Sequence, residues 1–209
     1  HGPYGGGDSW PVVCFNGGML TVLVIDESRC RAGEICSGLA LAGYQVAAIL
    51  ADSDNLTAEV EKLQPDVILI DTESPSRDTL ENLAVMNQDM PRPVVIFTHD
   101  DGQEAIRDAV KAGVSAYVVD GLDPKRIKPI VEVARARFED TLAMRRELDE
   151  LSKKLTDRKL VDKAKGVLMK ARGLDEDGAY HAIRKLAMER GQTMAKVASD
   201  IIDMAKLLL

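Results

Sequence analysis

Asp26, Glu27, Asp71 and Thr98 are oxygen-bearing side chains of the kind that hold a hard cation and receive a phosphoryl group. Asp26 and Glu27 follow the apolar run Val22-Leu23-Val24-Ile25, Asp71 follows Val67-Ile68-Leu69-Ile70, and Thr98 follows Val94-Val95-Ile96-Phe97. Carboxylates brought together repel one another unless a cation joins them. Magnesium suits such ligands, because it keeps several waters and accepts phosphate oxygens. Asp71 would then sit centrally, able to attack a phosphoryl donor and become an acyl phosphate. Any one of these residues alone reads more simply as a cap for a following helix. Their recurrence after three apolar runs is what favours chemistry.

The elements that must position them follow from the pattern. Short β-branched runs at Val22–Ile25, Tyr44–Leu50, Val67–Ile70, Val94–Phe97 and Ala116–Val119 alternate with segments of helical length. That alternation predicts βα units and a parallel sheet: a five-stranded, doubly wound, flavodoxin-like α/β domain over residues 19–123. In such sheets the working groups gather at the carboxyl ends of the strands, where loops converge on one edge.

Over about Leu20 to Ala134 the chain resembles the receiver domains of bacterial two-component response regulators. The resemblance rests on Asp26-Glu27 after Val-Leu-Val-Ile, Asp71 at the phosphoacceptor position, Pro75 four residues later, Thr98 at the hydroxyl position and Tyr117 on the fifth strand. It implies magnesium at Asp26, Glu27 and Asp71, and a switch that works through Thr98 and Tyr117. One departure stands out. Receivers place a lysine shortly after the strand-five aromatic, where its ammonium contacts the phosphoryl oxygens, but this chain has Asp120 there. A carboxylate at that place repels an acyl phosphate. Lys125 and Lys128 are the nearest cations in sequence that could substitute.

Composition bounds the rest. The chain has 209 residues, 45% hydrophobic and 29% charged, enough for two small domains with cores of their own. No stretch approaches the length of a membrane span and no signal-peptide pattern opens the chain, so a cytoplasmic protein without a membrane partner is expected. Cys14, Cys30 and Cys36 form no CxxC pair and are odd in number, which fits a reducing compartment. His1 to Gly18 is glycine-rich and reads as a tag remnant or leader, with Met19 as a native start. Charge is uneven: from residue 141 onward 15 Lys and Arg face 11 Asp and Glu, whereas the preceding residues carry 12 against 23.

Beyond Pro124, placed to open a helix, a helical pattern runs to about Ala171, with Pro129 expected to kink or restart it. Over residues 124–154 this is a connecting helix. Within it Met144, Leu148, Leu151 and Leu155 recur at spacings of four, three and four, the rhythm of a two-stranded coiled coil, and a homodimer is expected. Packing on the chain's own domains is the plainer alternative.

Residues 155–209 read as three helical patterns separated by Gly173 and Gly191, with Asp175 and Thr193 as N-caps. Leu160, Ala164, Val167, Leu168, Ala179, Ile183, Leu186, Ala187, Met188, Val197, Ala198, Ile201 and Ile202 could form one small core. Such a unit is too small for an enzyme pocket, and no enzymatic activity is expected. Between Lys153 and Arg172 eight Lys and Arg face only Asp157 and Asp162. A charge run is often just a solvated helix face, but phosphate backbones are natural partners of such a field.

The segment Asp157-Arg158-Lys159, Ala164-Lys165-Gly166-Val167-Leu168-Met169, Ala179-Tyr180, Leu186-Ala187-Met188 and Val197-Ala198 resembles the ANTAR family of RNA-binding output domains. The resemblance implies a non-enzymatic, dimeric transcription antiterminator that recognises paired stem-loops in a leader mRNA. By position it makes Arg158, Lys159, Lys165 and Tyr180 the first RNA contacts, with Lys163, Lys170, His181, Arg184 and Lys185 as further electrostatic candidates. Tyr180 reads equally well as core. Receiver and output together look most like the nitrate-responsive antiterminators of nitrate and nitrite assimilation operons, which implies a nitrate-sensing inhibitory partner and agrees with the missing lysine. Two other readings remain open: a DNA-binding response regulator, disfavoured by the largely apolar helix after Gly191, and a protein-interaction adaptor.

Overall fold

The computed structural model describes residues 19–27, 32–120 and 123–208; His1 to Gly18, Cys30 and Gly121 lie outside the described residues. Five strands form one sheet: β1 (Thr21–Asp26), β2 (Gln45–Leu50), β3 (Val67–Asp71), β4 (Val94–Thr98) and β5 (Ala116–Val119). They run in the order β2-β1-β3-β4-β5 with every pair parallel. The helices between them are α1 (Ala32–Leu41), α2 (Leu56–Leu63), α3 (Arg77–Asp89) and α4 (Gln103–Lys111). This is the expected doubly wound α/β domain.

Alternate strand residues supply two cores. Val22, Val24, Val67, Leu69, Val95 and Phe97 pack on one face with Ile35 and Leu39 of α1. Leu23, Ile25, Ile68, Ile70, Val94 and Ile96 pack on the other with residues of α2, α3 and α4. Because both faces are covered, β1, β3 and β4 are apolar at nearly every position, and their polar residues fall at the strand ends.

The first face is completed by Ile127, Val131 and Ala134, at the start of a single 46-residue helix, α5 (Ile127–Arg172). The structure corrects two proline expectations. Pro124 does not open the helix; it lies in the preceding turn, where Arg126 N donates to Asp123 O at 2.9 Å. Pro129 neither kinks nor restarts α5. It is the third helical residue, where the backbone N–H has no partner in the helix, so its absence costs no bond. Close packing beneath α5 also accounts for Gly38, since a Cβ there would stand 2.6 Å from the Ile127 side chain.

The chain divides into two compact units between Thr141 and Leu142, within α5. In the second, α6 (Glu176–Arg190) and α7 (Met194–Leu208) pack with the end of α5 around Ala164, Ile183, Ala187, Val197, Ala198 and Ile202. Both expected caps form: Asp175 accepts from Gly178 N at 2.7 Å, and Thr193 Oγ1 accepts from Lys196 N at 3.2 Å. Gly191 ends α6 at φ 61°, a left-handed conformation that glycine adopts without steric cost. Met188, expected in the core, is 73% exposed, because it projects from the face of α6 opposite Ile183 and Ala187.

Candidate functional site

Two sites emerge, one in each unit. At the carboxyl edge of the sheet, Asp26 and Asp71 are register partners on neighbouring strands, and both are buried. The backbone reinforces this pairing, since Glu27 N donates to Asp71 O at 3.0 Å. The Glu27 side chain turns elsewhere: its Oε1 accepts from Thr79 Oγ1 at 2.7 Å, tying it to the first turn of α3. Among the described residues no three His, Cys, Asp or Glu side chains converge as a metal-binding group. Asp26 and Asp71 thus pair at the strand ends, and in this conformation the Glu27 carboxylate is engaged by Thr79.

Thr98 is buried, and its Oγ1 donates to Glu73 O at 2.8 Å while accepting from Asp100 N at 3.2 Å. Tyr117 donates its hydroxyl to Asp100 O at 2.9 Å, and burial raises its pKa. The loops after β3 and β4 are bound to each other once more, by Ser74 Oγ donating to Asp100 Oδ2 at 2.5 Å. This bond, with help from Gly102 N–H, lowers the Asp100 pKa. Thr98 and Tyr117 thus converge on one loop, where Ser74 and Asp100 join them, while Thr79 holds Glu27 apart from it. Sequence reasoning missed these three. Ser74 and Asp100 are ordinary loop residues, and Thr79 is an ordinary helix residue; only the meeting of the β3 and β4 loops, and of α3 with the end of β1, gives them roles.

Asp120 directly follows β5, exposed, at φ 70°. Aspartate is among the few residues besides glycine that tolerate this region. Lys125 and Lys128 are exposed at and just before the start of α5.

In the second unit a cleft of about 450 Å³ lies between α5, α6 and the start of α7. Arg158, Lys165 and Tyr180, three of the four first-rank RNA candidates, line it together with Asp157 and Asp162. Tyr180 is 40% exposed and sets its ring edge-on to His181, with centroids 6.0 Å apart. Lys165 is held by two carboxylates, Asp162 at 2.8 Å and Glu176 at 2.9 Å. Hydrogen bonds to Asp162 and then Glu176 raise its pKa, and the same contact lowers that of Asp162. Lys159, Lys163, Lys170, Arg184 and Lys185 are exposed and do not line the cleft.

The family model of the response regulator receiver domain matches residues 22–132, more than half of the chain, and that of the ANTAR domain matches residues 149–202. The chain belongs to the ANTAR response regulators.

Relatives agree with this membership. The transcriptional regulatory protein PdtaR of Mycobacterium tuberculosis is 28% identical over 182 residues, 87% of this chain and 89% of that protein. The nitrate regulatory protein of Klebsiella oxytoca is 32% identical over 80 residues, 38% of this chain but only 20% of that protein. Among solved structures, the CheY-like receiver domain protein of Methanospirillum hungatei superposes with a TM-score of 0.52 at 19% identity, covering 59% of this chain and 99% of that one. The last of these supports the receiver fold alone. Like other ANTAR response regulators, this chain joins a receiver to an ANTAR unit, and among its described residues no helix is long and apolar enough to cross a membrane.

Proposed function

We propose that this ANTAR response regulator is a dimeric transcription antiterminator that binds paired stem-loops of a leader mRNA through its C-terminal unit. The observation that carries the reading is the cleft, which gathers Arg158, Lys165 and the half-exposed Tyr180 from two different helices. An open aromatic beside cations suits an unstacked loop base and its phosphate, whereas an RNA duplex hides its base edges. Lys159, Lys163, Lys170, Arg184 and Lys185 then supply the surrounding attraction for the backbone.

Dimerisation is assigned to α5. Met144, Leu148, Leu151 and Leu155 are 66%, 66%, 50% and 61% exposed in the single chain. A stripe of four large apolar side chains at coiled-coil spacing is what a second copy would cover.

Control is assigned to the receiver. Magnesium is commonly held by one or two carboxylates, with water and phosphate filling its other positions, so buried Asp26 and Asp71 are a sufficient protein contribution. Glu27 would join through water or on release from Thr79. The ion would offset charge on a phosphoryl group at Asp71, while Thr98 and Tyr117 hold the loop that must respond. With Asp120 where a phosphate-holding lysine would help, a sensor partner, nitrate-sensing by the likeness to the Klebsiella protein, is the second route of control.

Gel-shift titration of the full chain against a two-hairpin leader RNA and against duplex operator DNA tests the function. RNA binding that weakens steeply with salt is expected. A preference for duplex DNA would make it a DNA-binding regulator, and no shift with either probe would make it a protein-interaction adaptor.

A further inference from the structure

Thr79, in the first turn of α3, is only 2% exposed, yet its hydroxyl is a meeting point of polar groups from three segments of the receiver. It donates to Glu27 Oε1 at 2.7 Å, stands 2.9 Å from Ser76 Oγ and accepts from Ser53 Oγ at 3.4 Å. A hydroxyl has a single proton, so Thr79 donates to one partner at a time. While Glu27 is that partner, Ser76 must supply the proton of the 2.9 Å contact.

This arrangement keeps a carboxylate back from the strand ends. Asp26 and Asp71 are register partners there, but among the described residues no three acidic side chains converge. Glu27 can reach an ion shared with that pair only by leaving Thr79. A buried hydroxyl proton abandoned by its acceptor would then be left unsatisfied, which is costly.

Ser76 offers the way out. Its Oγ is already at hydrogen-bond distance, and the residue is exposed, so its own proton can turn to water while Oγ accepts from Thr79. The helix cap survives the exchange. Ser76 Oγ accepts from Thr79 N at 3.0 Å, and a hydroxyl oxygen has a second lone pair for the Thr79 hydroxyl. Ser53 keeps its bond to Thr79 in either case. The two arrangements differ by rotation of two O–H bonds and by the place of the Glu27 side chain, and each leaves every hydroxyl paired.

We infer that Thr79 and Ser76 form a hydroxyl latch on Glu27. With Thr79 turned to Glu27 the carboxylate is withheld; with Thr79 turned to Ser76 it is released to join Asp26 and Asp71 around magnesium. The inference rests on the magnesium reading above and adds to it what governs the third ligand. Thr79 is a positioning residue, since it touches the ligand and not the ion.

Calorimetric titration of the full chain with magnesium chloride tests the latch. Wild type should bind magnesium, and Asp71→Asn should abolish that binding. Thr79→Val keeps the shape of the side chain and removes the competing donor, and should bind about threefold to tenfold more tightly, as expected for loss of one hydrogen bond to a charged group. Thr79→Ser keeps the hydroxyl and should match wild type. Ser76→Ala removes the alternative acceptor and should weaken binding about threefold, and this effect should vanish when Thr79→Val is added. A merely destabilised receiver would not bind more tightly, nor would it recover in the double variant. Magnesium affinity of Thr79→Val no higher than wild type, or a Ser76→Ala effect that persists without the Thr79 hydroxyl, would overturn the latch and leave the magnesium reading standing. If wild type shows no magnesium binding that depends on Asp71, both fail.

Discussion

Lys165 on α5 and Glu176 on α6 meet at 2.9 Å, so a lysine proposed as an RNA contact also bolts together the helices that shape the cleft. Asp162, one turn earlier on α5, shares the same ammonium at 2.8 Å.

That double contact has a pH signature. The lowered Asp162 pKa contributes stability that is present above the ordinary carboxylate value and lost as pH falls through its folded-state value. The raised Lys165 pKa contributes stability fully present below the ordinary lysine value and lost as pH rises through its own. Asp162→Asn should lower the melting temperature slightly near neutral pH, with the difference from wild type shrinking at high salt and at acid pH. Melting curves across pH and salt check this; a difference indifferent to both would deny the ion pair a role.

Arg158 and Lys165 should separate in RNA binding. Arg158 is exposed, and its side chain makes no hydrogen bond or ion pair with another described residue, so Arg158→Ala should reduce affinity about tenfold and lower the salt slope by roughly 0.7–0.9, the loss of one phosphate contact. Lys165→Ala should weaken binding and also lower the melting temperature. Affinity measured over a salt series, beside melting curves, distinguishes them.

Tyr180→Ala should weaken RNA binding by about 1–3 kcal/mol, the range for a lost base–aromatic stack, while Tyr180→Phe keeps most of it. With 40% of the residue exposed, neither change removes a core side chain, and both proteins should melt close to wild type. Equal affinities for all three proteins would place the base elsewhere.

Asp120→Lys should restore a cation near the strand-end carboxylates. We expect tighter magnesium-dependent binding of beryllofluoride than in wild type, abolished by adding Asp71→Asn. The position stands at φ 70°, so the substitution should also cost roughly 1–2 kcal/mol of receiver stability. Unchanged beryllofluoride affinity would mean that this end of β5 does not govern the phosphoryl site.

Leu148→Lys combined with Leu151→Lys should convert the proposed dimer to monomer by light scattering, with the receiver's melting transition preserved, since both residues are exposed in the single chain. A dimer that persists would move the interface off this stripe.

The five strands, their alternation with helices and the acidic strand ends were legible because each is a local pattern: β-branched runs broken by polar residues at fixed places. The caps at Asp175 and Thr193 were legible for the same reason. Met188 was misread because the apolar residues of α6 do not all lie on one face, and periodicity alone could not tell which of them meets Ile183 and Ala187. Pro129 was misread because its effect depends on where the helix begins, a boundary set by tertiary packing of Ile127.

The sequence by itself determined the two-part organisation, the family, the basic character of the C-terminal unit and the substitution of Asp120 for lysine, since all of these reside in residue identity and spacing. Only the tertiary structure decided which charges remain available. Asp162, Glu176 and Lys165 are drawn into one contact, Glu27 is turned to Thr79, and Asp157 and Arg158 are left beside Tyr180. These outcomes depend on how α5 crosses α6 and how α3 approaches β1. Coulombic partners are chosen by distance in space, which linear spacing does not encode across separate helices.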